Sequence, residues 1–181
     1  MRKGIFLDRD GVLNESLNIE GLPYPPKIVS EVVICKHVKE SLDQARNNGF
    51  ELVVVSNQPD VARGKLKSEQ VQVINEHLAE ELNLKHFYTC FHDDPDNCEC
   101  RKPKPGLLLQ AARDLGIDLN QSFMIGDRWR DVEAGNKAGC ISYFIDYNYE
   151  EARPIEPYFS VSSLQEAIEH IVRNYSDPIY R

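Results

Sequence analysis

Gly4-Ile5-Phe6-Leu7-Asp8-Arg9-Asp10-Gly11-Val12-Leu13-Asn14 decides how this chain is read. A short apolar run suited to a buried strand ends at two carboxylates, Asp8 and Asp10. In an extended segment, residues two apart point to the same side. Two like charges so placed repel unless a cation, a phosphate or a proton lies between them. Gly11 then lets the backbone turn sharply or approach a ligand closely.

Working outward, residues 50–55 form a near-continuous apolar run, as a central parallel strand requires, and end in Ser56-Asn57-Gln58. Residues 122–126 read as another strand, ending at Asp127. Further strands are expected at 87–91 and 141–145, with an edge strand at 159–161. Helices are expected at 38–48, from Ser68 as cap through Leu82, from Pro105 to Gly116, through Lys137, and from Ser163 as cap through Arg173. The proline-rich stretch 15–33 reads as an irregular excursion with a short hairpin or flap, since its prolines prevent a long helix. Residues 61–67 and 147–157 read as loops, and the last residues as a tail. Alternating strands and helices at this spacing predict an α/β fold, a three-layer Rossmann-like parallel sheet. In such sheets ligands bind beyond the carboxyl ends of the strands. There the polar endings Asp8/Asp10, Ser56/Asn57 and Asp127/Asp131 become one pocket.

At 181 residues the chain is long enough for one domain, 1–181, with a real core. With 21 basic against 29 acidic residues the net charge is −8, which argues against a nucleic-acid surface but not against an anionic substrate met by local cations. No run approaches the ~18 apolar residues of a membrane span. The N-terminus enters the first strand almost at once, so a cytoplasmic monomer without membrane attachment is expected. Five cysteines are present, three of them between Cys90 and Cys100. In a cytoplasmic protein that clustering favours metal over disulfide. Cys35 and Cys140 read as buried free thiols, and the histidines outside the cluster as surface or satisfied core residues.

Carboxylates from two strand ends make a hard oxygen site of the kind Mg²⁺ shares with substrate phosphate. An aspartate can also attack phosphorus, and a second carboxyl can serve as acid and then base. Ser56, Asn57 and a lysine are candidates to hold the phosphoryl oxygens, because positioning and charge stabilisation carry most of phosphoryl transfer. Cys90, His92, Cys98 and Cys100 supply three thiolates and an imidazole, the donor set of a closed structural Zn²⁺ site in a loop at about 90–100. That loop runs straight into Arg101-Lys102 and is expected to fix the basic pair over the strand ends.

Phe6 to Asn14, FLDRDGVLN, resembles the D-x-D-G-x-x-N motif of the haloacid dehalogenase superfamily of phosphatases. Val54 to Gln58, Arg101-Lys102-Pro103, and Gly126-Asp127-Arg128-Trp129-Arg130-Asp131 resemble its second, third and fourth motifs, in the family's order. The resemblance implies a Mg²⁺-dependent phosphatase working through an aspartyl-phosphate on Asp8, with Asp10 as general acid/base. Ser56 and Lys102 would stabilise the phosphoryl group. Asp8, the backbone carbonyl of Asp10, and Asp127 would hold Mg²⁺, while Asp131 orients the site. Within the superfamily, a zinc loop just before R-K-P resembles the branch of heptose 1,7-bisphosphate and histidinol-phosphate phosphatases, which lack a large cap domain. Cys100 to Gly106, and Ser56-Asn57-Gln58 followed by Ala62-Arg63-Gly64, look closer to the heptose enzymes. This implies removal of the 7-phosphate of D-glycero-D-manno-heptose 1,7-bisphosphate, with histidinol phosphate as the alternative substrate. From another class, the alternative is an inactive, zinc-stabilised binding module. Asn57, Gln58, Arg101 and Arg63 are candidates to touch the substrate. Pro59-Asp60 stands where heptose enzymes usually have Ser-Gly, and it faces the region where the sugar would be read.

Overall fold

A computed structural model describes residues 1–19 and 21–176. The tail expected at the end of the chain lies, for 177–181, outside the described residues. The opening run forms strand β1 (Lys3–Leu7). It is followed by a hairpin of β2 (Leu17–Ile19) and β3 (Leu22–Tyr24), helix α1 (Val38–Asn47) and strand β4 (Phe50–Asn57). Then come α2 (Ser68–Leu82), β5 (His86–Cys90), α3 (Gly106–Leu115), β6 (Phe123–Gly126), α4 (Trp129–Ala138), β7 (Ile141–Ile145), β8 (Phe159–Val161) and α5 (Leu164–Tyr175).

Six strands join in the order β5-β4-β1-β6-β7-β8, each neighbouring pair parallel. The three-layer α/β expectation is met. Side chains alternate across β1: Ile5 and Leu7 pack with α1, α2 and α5, while Phe6 packs with α3 and α4. Because β1 lies between β4 and β6, Leu7 pairs with both Val54 and Ile125. The three strands therefore end side by side, with Asp8, Asn57 and Asp127 just beyond or at their tips. Among the described residues no helix is long and apolar enough to cross a membrane.

Several local expectations shift. Ser68 is the first residue of α2 rather than its cap. Lys67 takes the cap position, and its backbone N–H donates to the Gln70 side chain at 2.9 Å. The Gln70 amide oxygen reaches back from the first turn to satisfy the cap residue's own N–H, the reciprocal half of a capping box, while the Gln70 N–H is met by the Lys67 carbonyl at 3.1 Å. Pro105 precedes α3 instead of opening it, and the third strand begins one residue early, at His86. Ser163 does cap α5, its hydroxyl accepting from Glu166 N–H at 3.2 Å. Cys140 is buried, but Cys35 is only half-buried. His170 is satisfied by the Tyr143 hydroxyl at 2.7 Å.

A buried hydroxyl helps hold the central strand. Ser122, just before β6, accepts from Gly4 N–H at 2.8 Å and donates to the Asp118 carbonyl at 2.6 Å. It is fully buried. Ser122→Ala would strand a buried N–H and a carbonyl, so a loss of about 1–3 kcal/mol is expected. The measurement is the urea midpoint, which should fall with an unchanged slope.

Candidate functional site

The strand ends open into a cavity of about 280 Å³ lined by Asp8, Asp10, Asn57, Lys102, Asp127 and Asp131, with Arg63, Arg101, Arg128 and Arg130 also on its wall. Leu22, Pro23 and Tyr24 of the hairpin line it as well.

At its base lies a buried charge cluster. Lys102, 1% exposed, reaches Asp131 Oδ1 at 2.6 Å, Asp8 Oδ1 at 2.8 Å and the Val55 carbonyl at 2.7 Å. Those three acceptors use all three protons of the ammonium. Burial works against its charge, but Asp131 and Asp8 outweigh burial and hold its pKa above the usual lysine value. One cation does not balance three carboxylates. Burial and the Asp131 charge push Asp8 up to about 6 despite Lys102. Burial, then Asp8 and Asp131, push Asp127 well above the usual carboxylate range. Oxygens of Asp8, Asp127 and Asp131 lie within 4.8 Å of one another. Asp127 Oδ1 is buried without a hydrogen-bond partner among the described residues. A buried, unpartnered carboxylate oxygen in an acidic cluster fits a hard divalent cation such as Mg²⁺.

Asp8 and Asp10 share the cavity, but their carboxylates diverge. Asp10 is held by Arg9 through Nε at 3.1 and 3.2 Å and NH2 at 2.9 Å. Asn14 at 3.0 Å and Gln58 at 2.8 Å complete the cradle. Arg9 is fully buried and also donates to Asn75 Oδ1 on α2 at 2.9 Å. The Asp10 carboxylate is thus outside the Asp8/Asp127/Asp131 cluster, and only its backbone carbonyl remains the metal candidate. Asp131 spends Oδ1 on Lys102 and accepts the Arg128 N–H on Oδ2 at 3.0 Å, as an orienting residue would. Gly11 has φ +85°, and a Cβ there would lie 2.0 Å from Asp127 Oδ2, so the glycine makes room for that carboxylate.

The Ser56-Asn57-Gln58 group divides by side. Ser56 and Gln58 are both buried, and Gln58 Nε2 donates to Ser56 Oγ at 2.9 Å. Neither lines the cavity. Gln58, expected at the substrate, instead braces Asp10, because residues two apart in a strand share a face. Asn57 lies on the other side. It donates to the Lys102 carbonyl at 2.9 Å and accepts from Lys102 N–H at 3.1 Å. Its amide is therefore committed to holding the Lys102 backbone.

Cys90, His92, Cys98 and Cys100 converge. Their sulfurs are 3.1–3.7 Å apart, and His92 Nδ1 lies 3.3 Å from Cys100 and 3.6 Å from Cys90. Zn–S bonds of ~2.3 Å at the tetrahedral angle put sulfurs roughly 3.8 Å apart, so this donor set fits zinc with slight expansion. Between His92 and Cys98, Asp93 and Asp94 bind the cavity's arginines. Arg63 reaches Asp93 at 2.6 and 2.8 Å. Arg101 reaches Asp94 at 2.8 Å and the His92 carbonyl at 3.3 Å. Arg130 reaches Asp94 at 3.1 and 3.2 Å.

Arg9, Arg128, Arg130 and Tyr149 were not among the residues anticipated for the site. Tyr149 comes from the loop after β7 and donates to Asp127 Oδ2 at 3.0 Å. Arg9, Arg128 and Arg130 carried a signal, as the intervening positions of the Asp8–Asp10 and Asp127–Asp131 motifs, and Tyr149 carried none.

A profile of the haloacid dehalogenase-like hydrolases matches residues 24–139, a range that starts after Asp8 and Asp10. The D-glycero-beta-D-manno-heptose-1,7-bisphosphate 7-phosphatase of Helicobacter pylori (strain ATCC 700392 / 26695) is 37% identical over 142 residues, covering 75% of this chain and 79% of its own. That of Pasteurella multocida (strain Pm70) is 39% identical over 149 residues, covering 76% and 78%. A D-glycero-alpha-D-manno-heptose-1,7-bisphosphate 7-phosphatase of Photorhabdus laumondii is 32% identical over 160 residues, covering 79% and 81%. In fold, the chain is similar to the crystal structure of D,D-heptose 1,7-bisphosphate phosphatase from B. bronchiseptica complexed with magnesium and phosphate, with a TM-score of 0.83 at 24% identity over 94% of this chain and 98% of that one. Since the curated relatives keep 32–39% identity across at least 75% of the sequence, the resemblance first met at Asp8 and Asp10 is one of descent, and the chain belongs to the haloacid dehalogenase-like hydrolase family.

Proposed function

We propose that this chain, acting as one domain, is a Mg²⁺-dependent phosphatase that removes the 7-phosphate of D-glycero-D-manno-heptose 1,7-bisphosphate. The observation that carries the phosphatase reading is the buried Lys102 ammonium between Asp8 and Asp131, beside the unpartnered Asp127 Oδ1. The sugar follows from the relatives, whose names give that substrate.

Magnesium, held by Asp8, Asp127 and the Asp10 backbone carbonyl, would supply positive charge to the phosphoryl oxygens. Asp8 attacks phosphorus as the bond to the sugar oxygen breaks. Asp10 gives that oxygen a proton, so the alcohol leaves and an aspartyl-phosphate remains on Asp8. Asp10 then takes a proton from water, water attacks phosphorus, and the bond to Asp8 breaks, releasing inorganic phosphate. Lys102 lies against Asp8 with its three protons held by Asp8, Asp131 and the Val55 carbonyl, so its fixed charge would act through space on the charge that develops at the phosphoryl group. Arg9, Asn14 and Gln58 keep Asp10 at the cavity edge. Ser56, tied to Gln58, acts on the phosphoryl group only if that hydroxyl turns toward it. Arg63 and Arg101 carry the second anionic group of the substrate. Zn²⁺ at Cys90, His92, Cys98 and Cys100 fixes the loop that presents Arg101 and Lys102.

A phosphate-release panel tests the substrate. Both anomers of heptose 1,7-bisphosphate should be turned over with kcat/KM at least about 100-fold above histidinol phosphate, the beta anomer leading. A clear preference for histidinol phosphate would reassign the enzyme, and no release from any phosphate ester with Mg²⁺ present would leave a binding module.

Asp8→Asn should reduce kcat by more than about 10⁴-fold. Near neutral pH, metal-free Asp8→Asn should be at least as stable as wild type. The raised pKa of Asp8 means that its ionisation, as pH climbs through about 6, costs the folded state stability. Retained turnover would refute the nucleophile assignment. Cys98→Ser should lose bound zinc by elemental analysis and more than about 3 kcal/mol of stability, a Tm drop on the order of 10 °C. Metal-replete wild type without zinc would end the zinc reading.

A further inference from the structure

The loop after β7 does more than connect it to β8. Within five residues it touches three parts of the site. Tyr147 donates to the Gly11 carbonyl at 3.0 Å, Tyr149 to Asp127 Oδ2 at 3.0 Å, and Glu151 accepts Arg128 Nε at 3.0 and 3.1 Å. Between them, Glu150 N–H donates to the Gly21 carbonyl at the hairpin turn at 3.2 Å. A Cβ on Gly21 would meet the Glu150 side chain at 3.0 Å, so the contact is close. The Tyr147 and Tyr149 rings pack 5.6 Å apart.

We propose that 147–151 is a strap that positions the magnesium carboxylate, with Tyr149 as the positioning residue that turns Asp127 Oδ1 toward the cation. The inference rests on the magnesium reading above. The Asp127 side chain is almost fully buried. Its Oδ2 is packed against the Gly11 backbone, at 2.0 Å from the point a Cβ would occupy, and is capped by the Tyr149 hydroxyl. Its Oδ1 is buried and unpartnered among the described residues. One oxygen is therefore spent and the other reserved. A donor that fixes a ligating carboxylate keeps it from rotating, and removing such a partner typically weakens metal binding 10–100-fold. Through Glu150 and Gly21 the same strap is fastened to the hairpin whose Leu22 and Tyr24 wall the cavity, so one five-residue segment contacts both the cavity wall and Asp127. A hairpin of two short strands is marginally stable alone, which gives the fastening a purpose.

The test is isothermal titration of magnesium chloride into zinc-replete, magnesium-free wild type and Tyr149→Phe, with metal-free Tm measured in parallel. The expected result is a magnesium Kd about 10-fold weaker in the variant. Metal-free Tm should stay within about 3 °C of wild type, the size of a change near 1 kcal/mol. At saturating magnesium, kcat should return to within about threefold of wild type. A variant Kd within twofold of wild type overturns the proposal, whether or not Tm falls, because Tyr149 is then a packing residue. If Tyr149→Phe folds poorly, Tyr147→Phe keeps both rings and releases the strap from the Gly11 carbonyl. A weaker Kd there supports the strap, and a wild-type Kd overturns it. Wild type that takes no magnesium overturns the magnesium reading and this one together. Wild type that binds beside an unaffected variant overturns this one alone.

Discussion

A lysine ammonium enclosed by two carboxylates and a carbonyl, with almost no access to water, would be costly anywhere if left unpaired. Lys102 gains its place because Asp8, Asp131 and Val55 receive its three protons at 2.6–2.8 Å. Those three acceptors come from just beyond β1, from α4, which follows β6, and from β4, so the ion cluster forms only when the parallel sheet has set the ends of β1, β4 and β6 side by side. The dependence also runs outward. Asn57 clamps the Lys102 backbone by both amide atoms, and the loop of Cys90 to Cys100 delivers it. Fold and site thus share one constraint: the register β4-β1-β6, which places Val54, Leu7 and Ile125 side by side.

The same cluster leaves a charge deficit. Lys102 is shared between Asp8 and Asp131, so Asp127 lacks a cation of its own, and burial makes the deficit expensive. A divalent cation resolves this where a proton would only neutralise it. With the proposed Mg²⁺ at Asp127 and Asp8, the carboxylates would stay ionised, as the proposed attack of Asp8 on phosphorus requires.

Much of this was legible in the chain. Continuous apolar runs marked β1, β4 and β6, and each ended in a polar signature because the strand ends face the ligand. The cysteine spacing marked the four-donor cluster, which converges. Pattern of that kind is local. Partnership is not: nothing near Arg9 announces Asn75, and nothing near Asp127 announces Tyr149, 22 residues on. Tyr147 to Glu151 carries no strand or helix period, so it reads as a loop, and its contacts arise only from where β7 ends. One misplacement was avoidable. Strand alternation puts Ser56 and Gln58 together and Asn57 apart, and the hydrogen bond between the first two follows that rule.

Four arginines around a cavity would repel one another and hold water if left alone. Here Arg63, Arg101 and Arg130 are each paired to Asp93 or Asp94, and Arg128 to Glu151. Asp93 and Asp94 sit between His92 and Cys98, so the Cys/His cluster fixes the acids that fix the arginines. An incoming anion need not desolvate free guanidiniums, since their acidic partners have already stripped part of that water. It must instead add to, or displace, a carboxylate already in place. That exchange is close to balanced in charge, so a weakly fitting anion gains little. Only a ligand whose second anionic group meets these arginines while its first reaches Lys102 collects both terms. Under the proposed function, the selectivity of the cavity would lie in the distance between Lys102 and the arginine rim, to which the loop of Cys90, His92, Cys98 and Cys100 contributes through Asp93 and Asp94.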